Sequence, residues 1–444
     1  MMQKLLFISH MPGLSGGAEK SLLEIVLSCK QNGYPSHVIL PGEGDFSKRL
    51  DENTVPYSLL QYRWNTYTPD DGRDNGREER DALWLGDTLT AFKTTISAVN
   101  PDVIITNTVV APWGMYVAKA LGIPNIIMVR EWIFREDEIK MAPESGEFMQ
   151  LVNLCADWAI FNSYDTRDKY KGFFPEGNTS VMYPKVGVSD EMVRAHYREN
   201  TIGPKLSIMV AGRIIPSKNQ IEAVKGIFRA IGMGVPIEKV LVIGVNGDDV
   251  YFRALQDEIS GCGLEELIRI EEYTTDIFEV MNQYNIVIVP SKSEAFGRVT
   301  LEAQLFGRLV IGSRAGGTAE LIEDEETGRL YEPKDIDDLA KAIEWVAKNP
   351  REAEKVSRQA MALQREKFLL ADVTGPLRDA IDAVTGEKRK KARDRALDPL
   401  FAMMARSAGQ EEEIERIRRS YSFRFGRAAL APFRQLKRLF GKSL

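Results

Sequence analysis

The run Ile286-Val287-Ile288-Val289 is apolar at every position and stops at Pro290. A strand with one face in water alternates apolar and polar residues, so a strand apolar throughout reads as buried on both faces. The residues that follow extend this reading. Ser291 to Gly297 is a polar loop, and an amphipathic helix begins near Arg298. Gly307 stands where a helix C-cap glycine belongs, and Leu309 to Ile311 is a second apolar strand. Strand, loop, helix, strand is the wiring of a parallel sheet, because parallel neighbours need a long crossover between them.

The same unit recurs along the chain. Lys4 to Ser9 reads as a strand, His10 to Glu19 as a glycine-containing loop, and a helix runs to about Cys29. Leu206 to Ala211, the loop from Gly212 to Asn219 and a helix from Gln220 to Ala230 repeat it. At 444 residues the chain is too long for one ordinary core, so two such domains plus extras are expected. A hydrophobic share of 44% with 27% charged residues places it among soluble globular proteins. The net charge of -6 argues against bulk nucleic-acid binding. Cys29, Cys155 and Cys262 fit no metal or disulfide spacing and read as small residues in a reducing compartment. The first residues carry too short an apolar run for a signal segment, and no run of about 18 apolar residues occurs, so a cytoplasmic protein is expected.

The loop after Val289 carries the chemistry. Glu294 lies in it and Glu302 in the helix beyond, eight residues apart. Between them Phe296, Gly297, Arg298, Val299 and Thr300 place backbone N–H groups at a helix start, which suits a diphosphate. Carboxylates accept hydrogen bonds from hydroxyls. A ligand with a sugar at each end and a diphosphate between them, a nucleotide-sugar, satisfies all three. In the loop after Ala211, Arg213 and Lys218 are two cations five residues apart that can neutralise a departing diphosphate. In the first loop, Gly16 and Gly17 let a ligand approach the backbone because no Cβ stands in the way.

The pattern Glu294-x7-Glu302 with Phe296-Gly297 inside it, followed by Ala315-Gly316-Gly317, Glu320 and Thr327-Gly328, resembles the family-4-type retaining glycosyltransferases of GT-B fold. The resemblance covers residues 1 to about 385. It implies two Rossmann-like doubly wound domains facing across a cleft, an α/β architecture, with a C-terminal helical basic tail in addition. It implies that Glu294 contacts the donor sugar, that Glu302 contacts the ribose, and that Arg213 and Lys218 act on the diphosphate. It brings Gly16-Gly17 to the donor phosphate and the acceptor, and it carries retention of anomeric configuration. The donor is expected to be a UDP- or GDP-sugar, with no other cofactor and no metal. Many relatives carry a histidine before an acid at the end of the strand Asn125 to Val129; here Arg130-Glu131 stands there, with Arg130 either binding an anionic acceptor group or pairing with Glu131.

The expected boundaries are 1–186 for an acceptor domain, 204–365 for a nucleotide-sugar domain, 366–385 for a crossover helix and 386–444 for a charged tail. Gly187 to Pro204 reads as an interdomain linker, residues 63–81 as an exposed insertion, and a helix is expected from Leu83 to about Val99. His10 faces the acceptor or is structural, His37 is structural within a strand, and His196 is solvated. Asp335-Ile336-Asp337 imitates an Asp-x-Asp metal motif, but acids at a helix start are explained by the dipole. In the tail, Leu430, Phe433, Leu436, Leu439 and Phe440 recur at three- or four-residue steps among cations, so residues 421–444 fit an anionic membrane surface ahead of a protein partner. The acceptor is then a glycan or a lipid-linked glycan of cell-surface polysaccharide or lipopolysaccharide assembly, reached from the inner face of the membrane. A non-catalytic scaffold and an epimerase or phosphorylase of the same fold are the alternatives. Nothing in the sequence specifies oligomeric state.

Overall fold

A computed structural model describes residues 2–67, 77–134, 140–141, 145–274, 276–370, 372 and 374–386. The basic tail from residue 387 onward, with its expected membrane contact, and residues 68–76 of the expected insertion lie outside the described residues. The chain divides into two units. One takes Met1–Asn162 and Thr166–Tyr183 and resumes at Thr374; the other takes Ser163–Asp165 and Pro184–Val373.

The first unit contains β1 (Leu5–Ile8), β2 (Ser36–Leu40), β3 (Tyr57–Leu59), β4 (Thr66–Tyr67), β5 (Val103–Thr106), β6 (Asn125–Val129), β7 (Lys140–Met141), β8 (Trp158–Phe161) and β9 (Thr179–Val181). Seven of these form a wholly parallel sheet in the order β3-β2-β1-β5-β6-β8-β9. β4 and β7 make a separate antiparallel pair. The second unit holds β10 (Leu206–Ala211), β11 (Ile237–Ile243), β12 (Ile268–Glu271), β13 (Ile286–Val289), β14 (Leu309–Ser313) and β15 (Arg329–Tyr331). They form a parallel sheet in the order β12-β11-β10-β13-β14-β15.

The middle strands of both sheets are covered on both faces, which is why β1 and β13 are apolar at every position. In the second, Ile208, Val210, Ile286 and Ile288 point into one core with Ala223, Ile227, Leu339 and Ile343 of the helices Gln220–Gly232 and Ile336–Lys348. Their neighbours Met209, Val287 and Val289 point into the opposite core with Met281 and Ala303. All four residues of β13 are buried, and each such side chain stabilises the fold by about 1.5–3 kcal/mol. In the first unit, Leu5, Phe7, Val103 and Ile105 pack against Leu377, Ile381 and Val384 of the helix Gly375–Thr385.

Both sheets start in the middle, grow to one edge and return to grow the other way. The order reverses between β1 and β5 in the first unit and between β10 and β13 in the second. At such a switch point the loops at the carboxyl ends of the two strands leave in opposite directions and open a place for a ligand.

Several expectations need correction. Gly187 to Pro204 is not a plain linker, since Asp190–His196 is a helix whose cap residue Ser189 accepts from the Met192 N–H at 3.1 Å. Arg365 closes on Asp190, which ties that helix to the second unit. His196 is its last residue and lies 2.6 Å from Glu279. The helix expected from Leu83 begins at Arg77. The crossing segment is not one helix: Arg365–Leu370 is a π-helical turn, and the α-helix starts at Gly375. Asp335 is the cap of Ile336–Lys348, accepting from the Asp338 N–H at 2.9 Å.

One buried charge was not anticipated. Arg308, at the entry to β14, is 2% exposed. Its guanidinium donates to the carbonyls of Phe306 at 3.1 Å, Asn282 at 3.4 Å and Tyr284 at 3.3 Å, and to that of Arg198. Burial pushes its pKa down to about 10. Four carbonyls from three chain segments thus find their donor in one fork of N–H groups.

Candidate active site

In the second unit the loop after β10 runs from Gly212 to Asn219. It is closed by the buried amide of Gln220, which donates to the Arg213 carbonyl at 2.8 Å. The loop after β13 lies beside it, because those two strands are neighbours across the switch point. The Lys292 N–H donates to the Ser217 carbonyl at 2.9 Å, joining the two loops. From the far side, the Ser313 hydroxyl donates to the Ser291 carbonyl at 2.8 Å.

This frame brings Lys218 and Glu294 together, with Nζ 2.5 Å from Oε1. The same carboxylate oxygen accepts from the Ser291 hydroxyl at 2.6 Å. The pair is partly covered, the lysine side chain 28% and the glutamate 14% exposed. A cation and an anion held side by side at a switch point can separate onto a ligand that offers a phosphate to one and hydroxyls to the other. Arg213 is exposed at the mouth of the same loop.

The glycine pair downstream has a definite task. The Gly317 N–H donates to the Glu294 carbonyl at 2.8 Å, and residues 294 and 316 form a short parallel bridge. A Cβ on Gly316 would lie 2.3 Å from the Glu294 carbonyl oxygen, and one on Gly317 would lie 2.3 Å from that of Phe296. Only residues without a side chain permit this approach, so Gly316-Gly317 holds the Glu294 loop in place.

The helix Arg298–Leu305 opens at Gly297, which has a φ of 95° and supplies no side-chain cap. Phe296 and Thr300 are buried, and Val299 packs against the core. Their backbones, not their side chains, are what they can offer to a ligand. Arg298 turns away to the carbonyls of Lys185 at 3.2 Å and Val186 at 2.8 Å. Its guanidinium also lies 3.3 Å from Glu302 one turn on, so Glu302 carries a helical ion pair and is 17% exposed.

The first unit has its own polar group at the carboxyl edge, around the β1–β5 switch point. Gly16 precedes the helix Gly17–Gln31, and a Cβ there would stand 2.3 Å from the Glu19 carboxylate, which folds back over it. His10 Nε2 lies 2.8 Å from Glu19, its ring is tilted against Trp64 at 5.5 Å, and its Nδ1 is buried without a hydrogen-bond partner among the described residues. Burial works to raise the Glu19 carboxyl, but the His10 hydrogen bond and charge, its own N–H and Arg130 together hold it below the ordinary value. Arg130 donates to the Asn107 carbonyl at 3.0 Å, the Asn107 side chain at 2.9 Å and the Ser21 hydroxyl at 3.2 Å. Of the two roles foreseen for Arg130-Glu131, the backbone is where they meet: the Arg130 N–H donates to Glu131 at 3.2 Å. Burial raises the Glu131 carboxyl above its usual range, against the pull of His10 and Arg130. His37 is structural, 2.9 Å from the Ser58 hydroxyl.

The sequence reading passed over Ser291, Gln220 and Glu222. Ser291 carried a usable signal, since Ser-x-x-Glu at a loop start is a local hydrogen-bonding pattern. The two helix residues gave none, because a polar residue in a helix looks solvated until a neighbour covers it.

Residues 196–362 match the family model described as glycosyl transferases group 1. A D-inositol 3-phosphate glycosyltransferase of Saccharomonospora viridis is 34% identical over 110 residues, 24% of this chain and 26% of that relative. The chain thus aligns with about a quarter of the length of that curated relative. A GDP-mannose-dependent alpha-mannosyltransferase of Corynebacterium glutamicum is 22% identical over 362 residues, 78% of this chain and 80% of that one. Among solved structures, Anabaena HepE in complex with UDP superposes with a TM-score of 0.67 at 21% identity, covering 86% of this chain and all of that one. With its two parallel sheets flanked by helices, the chain has the α/β fold of the GT-B glycosyltransferases.

Proposed function

We propose, from the match of residues 196–362 to the glycosyl transferases group 1 model, that the chain moves a sugar from a nucleotide-sugar to a glycan or lipid-linked acceptor with retention of anomeric configuration. The observation that carries this is the Lys218–Glu294 pair at the β10–β13 switch point. In the reaction the bond from the anomeric carbon to the diphosphate oxygen breaks and the acceptor oxygen bonds to that carbon. The hydroxyl proton leaves with the diphosphate. Lys218 and Arg213, with the N–H groups of residues 297–300, stabilise the negative charge that develops on the departing diphosphate. Glu294 accepts from hydroxyls of the donor sugar and Glu302 from the ribose. Gly16-Gly17 offers backbone to the donor phosphate or the acceptor only once the Glu19 carboxylate that folds over Gly16 gives way. Two fixed cations and a helix start supply the charge stabilisation that a metal would otherwise give. A UDP- or GDP-sugar is the donor this reading favours, supported by a structural neighbour solved with UDP and a relative named for GDP-mannose.

A thermal-shift screen against UDP, GDP, ADP and CMP without metal tests the donor site. One nucleotide family raises the melting temperature, by mass action on the native state, and the rise is lost in Glu302→Ala and Lys218→Ala. No rise with any of them at millimolar concentration refutes the donor site and leaves the scaffold reading.

Residues 421–444 place the enzyme on the inner face of an anionic membrane, where lipid-linked acceptors of polysaccharide or lipopolysaccharide assembly are found. Apolar residues at helical spacing among cations support this placement. Removing residues 410–444 moves the protein from vesicles rich in anionic lipid to the soluble fraction. Unchanged sedimentation with the vesicles counts against it.

A further inference from the structure

Lys218 is followed by a residue in an uncommon conformation. Asn219 has φ 56° and ψ 37°, left-handed, although it stands at the cap of the helix Gln220–Gly232. A cap residue is ordinarily extended and turns its side chain onto the first helical N–H groups; Asn219 makes no such bond. Its amide donates instead to Glu222 Oε2 at 2.7 Å. Glu222 is 8% exposed, and its other oxygen accepts from the Tyr331 hydroxyl at 2.8 Å and the Lys334 N–H at 3.3 Å. Tyr331 is wholly buried, and burial and the neighbouring carboxylate hold its phenol well above the ordinary range, so it stays a donor.

A left-handed backbone is unfavourable for residues with a Cβ, asparagine less than most, and here the bond from the Asn219 amide to Glu222 adds a contact that favours it. On the other side the loop is already pinned, by the Lys218 N–H on the Ile215 carbonyl at 3.0 Å and the Lys292 N–H on Ser217 at 2.9 Å. Turning Asn219 back to an extended or right-handed conformation would swing the stem of Lys218, and Nζ would lose its place beside Glu294.

We propose that Glu222, anchored by Tyr331, is a positioning residue that keeps Asn219 left-handed and thereby aims Lys218 at the ligand site. This rests on the donor-site reading of Lys218 and adds a device that lies outside the ligand's reach. Glu222→Ala frees the Asn219 amide and lets the loop populate other conformations, so the competent fraction falls and the apparent dissociation constant rises in proportion. Asparagine tolerates this region better than other residues with a Cβ, so the expected loss lies at the low end, about 5- to 10-fold. Glycine needs no such help, so Asn219→Gly in the Glu222→Ala background restores affinity to within about threefold.

The test is calorimetric titration of the full chain with UDP, or GDP where UDP gives no heat, well below each variant's melting temperature. Amide exchange of residues 213–220 is measured without ligand alongside. The expected results are weaker binding and faster exchange in Glu222→Ala, with both reversed by adding Asn219→Gly. A purely structural Glu222 would leave the double variant as weak as the single one, and that outcome, or unchanged affinity in Glu222→Ala, overturns the positioning role. Lys218→Ala separates the two levels. If that variant keeps wild-type affinity for both nucleotides, the donor-site reading fails and the positioning role falls with it. If it loses affinity while Glu222→Ala does not, the positioning role alone is wrong.

Discussion

Lys218→Ala is expected to slow cleavage of the nucleotide-sugar by about 100- to 1,000-fold, the range seen when one preorganised donor is removed from a site where charge develops. The physical reason is timing. In the free protein Lys218 rests against Glu294 at 2.5 Å, and in the proposed reaction a diphosphate would draw it away most strongly as the anomeric bond lengthens and charge accumulates on the leaving oxygens. An interaction that strengthens along the reaction lowers kcat when lost, more than it raises KM. Stability should fall modestly. The lysine is 28% and the glutamate 14% exposed, so loss of the lysine strips a largely covered carboxylate of its cation at about 1–3 kcal/mol. Glu294→Gln is expected to act differently, since it keeps the size and the Ser291 hydrogen bond at 2.6 Å but loses the charge that orients sugar hydroxyls. Initial rates of UDP or GDP release, with melting temperatures measured on the same samples, check both variants. A tenfold or smaller loss of kcat in Lys218→Ala rules out leaving-group stabilisation by that residue.

Arg308→Met is the second large effect, and here stability falls while the site survives. The substitution takes the donor from the buried carbonyls of Phe306 and Tyr284 and from the partly buried ones of Asn282 and Arg198. Each unsatisfied group costs about 1–3 kcal/mol, and local relaxation recovers part of it, so about 3–5 kcal/mol is expected. At about 2–4 °C per kcal/mol for a unit of this size, the melting temperature should drop by roughly 6–20 °C. Arg308→Lys recovers only part of it, because an ammonium has three donors and no planar fork to span three segments. Calorimetric melting of the two variants decides this; a drop under about 3 °C in Arg308→Met shows that water replaces the guanidinium.

Much of the architecture can be read from residue patterns alone. Four consecutive buried positions in β13 announce a strand covered on both faces, and periodicity of this kind is local and needs no knowledge of neighbours. The positive φ of Gly307 at 70° was legible for the same reason, since a glycine just past a helix end takes that conformation through its own backbone. Irregular segments were harder. Asp190–His196 is a single short helix in a polar stretch, and its stability comes from Ser189 and from Arg365, far away in the chain. The crossing segment broke at Gly375, where the chain passes from one unit's contacts to the other's.

By itself, then, the sequence determined the parallel-sheet wiring, the two glycine-bearing loops and the residue types that can meet a diphosphate and a sugar. These follow from hydrophobic period and backbone permission, which act within a few residues. Only the tertiary structure decided which of those residues touch. Lys218 and Glu294 stand 76 positions apart, and they meet because β13 pairs with β10 and not with β12, the strand before it in the chain. Glu222, which no sequence pattern singles out, is a buried anchor because Tyr331 from the last strand of the sheet closes over it. Arg308, read as nothing in particular, became the donor for four carbonyls. Pairing order and burial depend on contacts between distant segments, and no local pattern encodes them.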